Sequence, residues 1–545
     1  MSSTDASTDG GTDGNTDAGT DGSAGADRDG RSSPSGTDRH FDVIVVGARC
    51  AGAPLATLLA RRGLAVCLVE KATFPSDTPS THIFEADALA FFDDLGVLDE
   101  LRGTGAPLVG LADARIGDVR WPTAWPVRTE DPGGVMSVRR FRLDPVLARA
   151  AVNAGATLLT GTAVTGVVRA EDGRVTGVRV STEEREDEGD GGDEGDEGEA
   201  EAGTAGGGGT GAGGSQEVLR ARLVVGADGR NSTIARLCGA REYHVTPNQF
   251  ALFWGYFKGA EIGEPTFAFH RWADRVVLGC PTDDGLYQVQ VGVDPARVKE
   301  FRAGLPGSLL EYAKASEPVA RVLENAQLVG KPGGMTHWEG YFREPTGPGW
   351  ALVGDAGHFK DPTAGRGIGD ALLQANSLAK AITAHLPAHD EEAGLGTGAG
   401  AAQRTRLEGE LDHALREWGE WRDAEFTEAY WFAVDIGSLA PLPAVLPEVL
   451  REMRARGTAN QLFEMVNHRA NPSDILTGPR ILRAVGRLLR HGKFGVLREV
   501  AALGARERTR RALTRRPAYR TSRHTQIRPP HSAPRETPLA EGRRG

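Results

Sequence analysis

Apolar residues in this chain fall into groups that keep one of two periods. The first group, Phe41-Asp42-Val43-Ile44-Val45-Val46, is short, continuous and β-branched, as expected of a strand buried on both faces. It runs directly into Gly47-Ala48-Arg49-Cys50-Ala51-Gly52 and then into a helical pattern from Ala53 to Ala60. Pro54 falls in the first helical turn, where its missing N–H costs nothing, and Gly63 suits the helix end. A second apolar run, Ala65 to Val69, stops at Glu70. Strand, glycine turn, helix, strand and acid, with about 20 residues between first glycine and acid, is the order of a dinucleotide-binding unit. Gly47 and Gly52 would let the backbone approach a pyrophosphate, and Glu70 would meet a ribose 2′-hydroxyl. Arg49 stands where that pattern has its middle glycine.

Later groups predict a hairpin, Val164–Arg169 and Val175–Val180 around Asp172-Gly173, and a strand from Glu217 to Val225. That strand delivers Asp228 to a turn, after which Ser232 caps a short helix. Upstream, Asp144 is placed to cap a helix through Pro145, just after a cluster of Arg139, Arg140 and Arg142. Alternating runs at Phe250–Phe257, Thr266–Trp272, Arg275–Gly279 and Tyr287–Val293 predict a sheet with one face free to roof a pocket. Ala351–Val353 is a short strand. It ends in Gly354-Asp355, passes Lys360-Asp361-Pro362, and opens a long helix at Gly365-Arg366-Gly367-Ile368. Beyond the Gly/Ala-rich 394–402, amphipathic patterns at 404–429, 447–456, 460–466 and 479–489 predict helices.

The expected class is α/β (α+β). A Rossmann-like nucleotide-binding domain (41–180, 217–248 and 341–390) is interleaved with an antiparallel β-sheet substrate domain (249–340), and a helical region (403–505) follows. Residues 1–40, the acidic and Gly-rich 183–216, and the basic 506–545 have too little apolar area to offset their ordering entropy, so they are expected to be disordered. The insertion then decorates a β-meander and is not a domain boundary. The net charge of −11 comes mostly from the first two of these segments. The four cysteines are scattered without a CxxC pair, which argues against a disulfide scaffold, a zinc site and a dithiol reductase. No apolar run reaches the roughly 18 residues that cross a bilayer, and the N-terminus lacks the features of a signal peptide. A cytoplasmic protein without stable membrane insertion is expected. The arginines of the tail lack interleaved aromatics, so nucleic acid is not an expected partner.

The Gly354–Ile368 stretch carries the chemistry. A helix mouth with small residues presents bare N–H groups and favours negative charge, while a carboxylate at Asp355 can accept hydrogen bonds from a polyol. Together they suit a flavin. In this order, Gly47–Glu70, Arg140-x-x-Leu143-Asp144, Ala227-Asp228-Gly229 and Gly354-Asp355 resemble the aromatic hydroxylase superfamily of single-component flavoprotein monooxygenases (group A). Phe74–His82 and Lys360-Asp361-Pro362 resemble its branch near the geranylgeranyl-reductase-like proteins. The resemblance spans roughly Phe41 to Leu386. It implies bound FAD, with Glu70 at the adenosine ribose, Arg140 at the diphosphate–ribityl region and Asp355 at the ribityl chain, and with Lys71 among the cofactor-binding residues. It also implies Pro362, Gly365, Gly367 and Ile368 at the isoalloxazine, and Asp228 supporting the turn that closes the flavin domain.

Trp254, Tyr256, His270 and Trp338 are the candidate substrate pocket. Among possible acid–base groups, His82 and Lys360 are the catalytic candidates. The implied reaction is oxygenation of a small organic substrate, by hydroxylation or N-oxygenation, with O2 and with NAD(P)H as a transiently bound co-substrate. The expected assembly is a monomer or homodimer. A reductase of isoprenoid double bonds is the first alternative, and a non-enzymatic flavin-binding protein the second. Halogenation is disfavoured, since Trp121-Pro122-Thr123-Ala124-Trp125 does not match Trp-x-Trp-x-Ile-Pro.

Overall fold

The first apolar run forms the strand Arg39–Val46, and its burial on both faces explains its unbroken hydrophobicity, since Val43, Ile44 and Val45 are all 0% exposed. The computed structural model describes residues 39–182, 215–387 and 399–515. Within them this strand is the middle of a five-stranded parallel array, in the order Trp350–Leu352, Ser215–Gly226, Arg39–Val46, Val66–Val69 and Thr157–Leu159. Register sets the site. Val46 lies opposite both Gly226 and Val69, and Gly226 lies opposite Leu352. The strands therefore end level, and the turns at Gly47, Ala227 and Gly354 meet at one edge. The hairpin Thr162–Arg169/Val175–Thr182 joins antiparallel to Ser215–Gly226, with Thr182 paired to Ser215 across the insertion.

A second sheet has seven strands, in the order Gln327–Met335, Ala251–Lys258, Tyr287–Val293, Val276–Pro281, Thr266–Arg271, Leu111–Ile116 and Val119–Ala124. The last two come from the segment assigned by sequence to the nucleotide domain. Leu111–Ile116 instead pairs in parallel with Thr266–Arg271, so the sheet is not wholly antiparallel. Its outer face buries Phe253, Val277 and Val289 with residues of three short helices within 298–322. Part of the inner face, Phe267 and Leu278, packs on Met453 and Phe463 of the C-terminal region. Trp125 sits in this core and donates from Nε1 to Asn467 Oδ1 at 2.9 Å.

Three local expectations change. The helix expected to start at Asp144 starts at Arg140 and runs Arg140–Asn153; Asp144, drawn inward by two arginines, is a helical residue and not a cap. The C-terminal region opens with one helix, Ala399–Ile436, which begins inside the Gly/Ala-rich stretch. The basic tail is helical as far as Arg515, in Val496–Arg515, because Asp435 accepts from Arg510 at 2.8 Å and from Arg506 at 3.1 Å, while the Arg510 guanidinium covers the Trp431 ring. At the edges of two expected disordered segments, residues 39–40 and 215–216 are in strands. The remaining expectations of disorder lie outside the described residues.

Arg422 braces the site from behind. It is wholly buried and donates to the carbonyls of Gly357 (3.1 Å) and Arg343 (2.8 Å), to Tyr243 Oη (2.9 Å) and to Asp423 (2.7 Å). Replacing it with leucine should destabilise the chain by about 3–5 kcal/mol, because a carboxylate and two carbonyls lose a buried donor. Denaturant unfolding measures this.

Candidate functional site

A cavity of about 770 Å³ opens where the parallel strands end, between their turns and the inner face of the second sheet. Ligands of open α/β sheets bind outside the carboxyl ends of the strands. Two glycines make the turns fit. Gly47 has φ +100°, and a Cβ there would lie 2.4 Å from the Ala227 carbonyl oxygen; a Cβ on Gly52 would lie 1.8 Å from that of Gly47.

Glu70, Arg49 and Arg140 line the cavity, and Arg140 is near enough to Asp355 to act on its charge. The Glu70 carboxylate accepts the N–H of Ala48 at 2.8 Å and that of Ala72 at 3.1 Å, which fixes it at the strand end. Lys71 is exposed at the rim. Arg140 donates from Nε to Asp144 Oδ1 at 2.6 Å, and Arg49 reaches Asp144 Oδ2 at 2.9 Å and Ser76 Oγ at 2.9 Å. Arg49 thus uses a side chain where the usual pattern offers bare backbone, and it ties the 76–78 segment to the cavity wall. Asp228 accepts from Ser232 Oγ (2.6 Å) and the Thr233 N–H (2.7 Å), holding its turn shut.

The Gly354–Ile368 stretch contributes Asp355, Lys360, Pro362, Arg366, Gly367 and Ile368 to the lining. The carboxylate of Asp355 has no hydrogen bond to a described residue. Burial raises its pKa above the usual carboxylate range, although Arg230, Lys360 and Arg140 pull it down. Helix Gly367–His385 starts here; a Cβ on Gly367 would meet nothing within 4 Å, so its mouth is open backbone. Gly365, at φ +71°, makes the preceding turn and is likewise open, but it is not part of the cavity wall. His358 Nε2, Arg366 Nε and Gln374 Nε2, all on residues lining the cavity, are buried without a hydrogen-bond partner. Burial pushes the Lys360 ammonium far below its ordinary pKa, and Arg366 adds to the effect; its Nζ pairs with Asp370.

Trp254 lines the cavity, with Leu252, Gln290 and Met335 beside it. The other pocket candidates lie elsewhere. Tyr256 is on the same sheet face but beyond the cavity wall, with its hydroxyl on His82 Nε2. Its strand places His270 on the opposite face, where it reaches Asp113 at 3.1 Å and packs against Trp272. Trp338 is buried beside the cavity, packed with Leu252 and Phe359, and its main-chain N–H donates to Asn248 Oδ1 at 3.2 Å. His82 is also displaced from its expected role. Its Nδ1 accepts the Arg140 N–H at 3.2 Å, and Tyr256 takes the other nitrogen, so the ring is a tie behind the wall. Burial, reinforced by Arg140, pushes its pKa down to about 3, and it stays neutral. Sequence reasoning missed Gln374, Asp370 and His468. Asp370, an acid in the first turn of the long helix, carried a visible signal; His468, nearly 100 residues away in sequence, carried none.

These residues fit an FAD. Cations stand where a diphosphate needs them, Asp355 is an unpartnered acceptor, and the glycines at the helix mouth leave room. The comparisons agree with that fit. A family profile described as "FAD binding domain" matches residues 40–189. The chain is 28% identical over 365 residues to 6-methylpretetramide 4-monooxygenase of Streptomyces rimosus, covering 64% of this chain and 76% of that protein. It is also 28% identical over 358 residues to menaquinone reductase of Mycolicibacterium smegmatis, covering 63% and 76%. Among solved structures, the myxobacterial chondrochloren halogenase, an FAD-dependent halogenase, superposes with TM-score 0.58 at 21% identity, covering 82% of this chain and 97% of that one. The expected kinship to the geranylgeranyl-reductase-like branch is not among these findings. The chain therefore carries an FAD-binding domain, its relatives are FAD-dependent oxidoreductases, monooxygenases among them, and it shares its fold with a flavin-dependent halogenase.

Proposed function

We propose that this protein oxygenates a small, largely apolar organic substrate, with NAD(P)H as reductant and O2 as oxidant. One oxygen atom enters the substrate and the other leaves as water. The observation that carries the reading is the cavity itself. Charged and polar groups of the parallel-sheet domain line it together with Leu252, Trp254 and Met335 of the second sheet, an apolar group interrupted by Gln290. Kinship to a monooxygenase acting on 6-methylpretetramide supports a substrate of this kind.

FAD would supply electron transfer from NAD(P)H and activation of O2. The chain's own part is binding, orientation and exclusion of water. Glu70 accepts from a ribose and Arg49 and Arg140 neutralise a diphosphate. Asp355 accepts from the ribityl hydroxyls, and the mouth of the Gly367 helix stabilises negative charge on the ring. Trp254 supplies a flat, water-excluding wall for the substrate. Arg366 holds positive charge beside the ring end, with Lys360, whose charged form burial disfavours, next to it. The NAD(P)H site would be a transient one on this same domain.

Holoenzyme screened with small aromatic compounds should oxidise NAD(P)H faster in the presence of a substrate, and under ¹⁸O2 the product should carry one labelled atom. Anaerobic saturation of a double bond without label would replace this reading with the reductase. A bound flavin that no compound turns over would point to a binding protein.

A further inference from the structure

We propose that Lys360, Asp370, His468 and Asp87 form a path that carries protons between the cavity and solvent. The inference rests on the oxygenase reading, in which each turnover consumes NAD(P)H, O2 and one proton. That proton must reach the end of the cavity at Lys360 and Asp370, whose side chains are each 5% exposed.

The four groups lie in contact, with one hydrogen bond among them, between His468 and Asp370. Lys360 and Asp370 line the cavity, and Lys360 Nζ is in ion-pair contact with Asp370 Oδ2, which has no aligned hydrogen bond. Asp370 Oδ1 is 2.7 Å from His468 Nε2. His468 Nδ1 is 2.8 Å from Asp87 Oδ2, although out of line for a hydrogen bond, so a small turn of either group completes the contact. The Asp87 side chain is 26% exposed, against 3–5% for the three groups before it. The path therefore starts at the cavity and ends in water.

The imidazole is held in place at a cost. His468 has φ +55°, a strained conformation for a residue other than glycine. It occupies space left by Gly369, whose Cβ would come within 2.4 Å of the ring. Set between two carboxylates, a neutral imidazole carries one N–H, which the aligned contact gives to Asp370; Asp87 gains a bond when a second proton enters the group, which is the condition for passing a proton along. Burial and Arg366 hold the imidazole pKa down to about 4, against the pull of Asp87. The other groups around the path are Arg366, 3.6 Å from Asp370 Oδ1, the buried Glu85 at the start of helix Ala86–Asp94, and Glu425 of the long C-terminal helix, which acts on Arg366. Stability alone gives little reason for such a group, since buried ion pairs often do no better than apolar residues of the same volume.

The test uses His468→Gln, which keeps a donor and an acceptor but cannot relay a proton, and Asp87→Asn at the solvent end. In flavin-free protein, histidine-selective NMR should show, besides the N–H that His270 shares with Asp113, a hydrogen-bonded imidazole N–H downfield of the amides and protected from exchange that disappears in His468→Gln. With FAD bound, oxidation of NAD(P)H by O2 to H2O2, without organic substrate, consumes one proton per turnover. Both variants should lower its kcat by about 100-fold and raise its solvent isotope effect. KM for NAD(P)H and the affinity for FAD should hold. A free, rapidly exchanging imidazole would overturn the proposal, as would kcat and isotope effect at parental values in both variants. Failure to bind FAD would overturn the functional reading instead, while the NMR result would still decide whether the imidazole is bridged.

Discussion

Gly52→Ala should yield no FAD-retaining protein. The added Cβ would lie 1.8 Å from the Gly47 carbonyl oxygen and 3.1 Å from Ala227 Cβ. Overpacking costs about 1–3 kcal/mol where side chains can move aside. Here the obstacle is backbone at the meeting point of strands whose ends are locked in register, so the cost should exceed that range and consume much of a stability of about 5–15 kcal/mol. Gly63→Ala is the control. Nothing lies within 4 Å of that Cβ, and only the positive φ of 82° opposes it, at about 1 kcal/mol. Thermal unfolding and flavin absorbance of the two variants read the difference. Parental melting and a full flavin complement in Gly52→Ala would show that the turn is not packed as described.

Arg140→Leu should have the next largest effect, on two separable quantities. Asp144 has no exposed side-chain surface, and it would keep Arg49 as its one charged partner. Removing one member of a buried pair costs about 3–5 kcal/mol, because the other charge stays behind. The cavity would also lose a cation at the end where a diphosphate is to bind. The double variant Arg140→Leu/Asp144→Leu separates the two effects. It should recover most of the stability lost by the single variant while FAD affinity stays low. Recovery of both would make Arg140 a purely structural residue.

What could be read from the sequence was what depends on neighbours along the chain. The Gly47–Glu70 unit, the Asp228 turn and the Gly354-Asp355 turn are local patterns, and each leads to one backbone geometry. The strands of the second sheet were legible by alternation, but their partners were not. Leu111–Ile116 reaches Thr266–Arg271 across about 150 residues of sequence, and nothing in either run announces it. Side-chain direction was also hidden. A one-residue difference in strand phase separates Trp254, which faces the cavity, from His270, which does not. His82 was misread because proximity in sequence to a flavin-lining segment does not say which way the ring turns; the main-chain N–H of Arg140 and the Tyr256 hydroxyl take both nitrogens. The second half of helix Val496–Arg515, from Arg506 onward, escaped notice for another reason. Its arginines look like a solvated tail until Asp435 and Trp431, on a distant helix, give them partners.

Titration of flavin-free protein with FAD, for the parent and for Asp355→Ala, decides whether the reactive ring lies where the Gly354–Ile368 stretch puts it. The parent should bind FAD, with a change in flavin fluorescence. The variant should bind about tenfold to a hundredfold more weakly, as expected when a charged acceptor loses its hydrogen bonds. A parent that does not bind FAD, or a variant that binds it as tightly as the parent, would contradict the site.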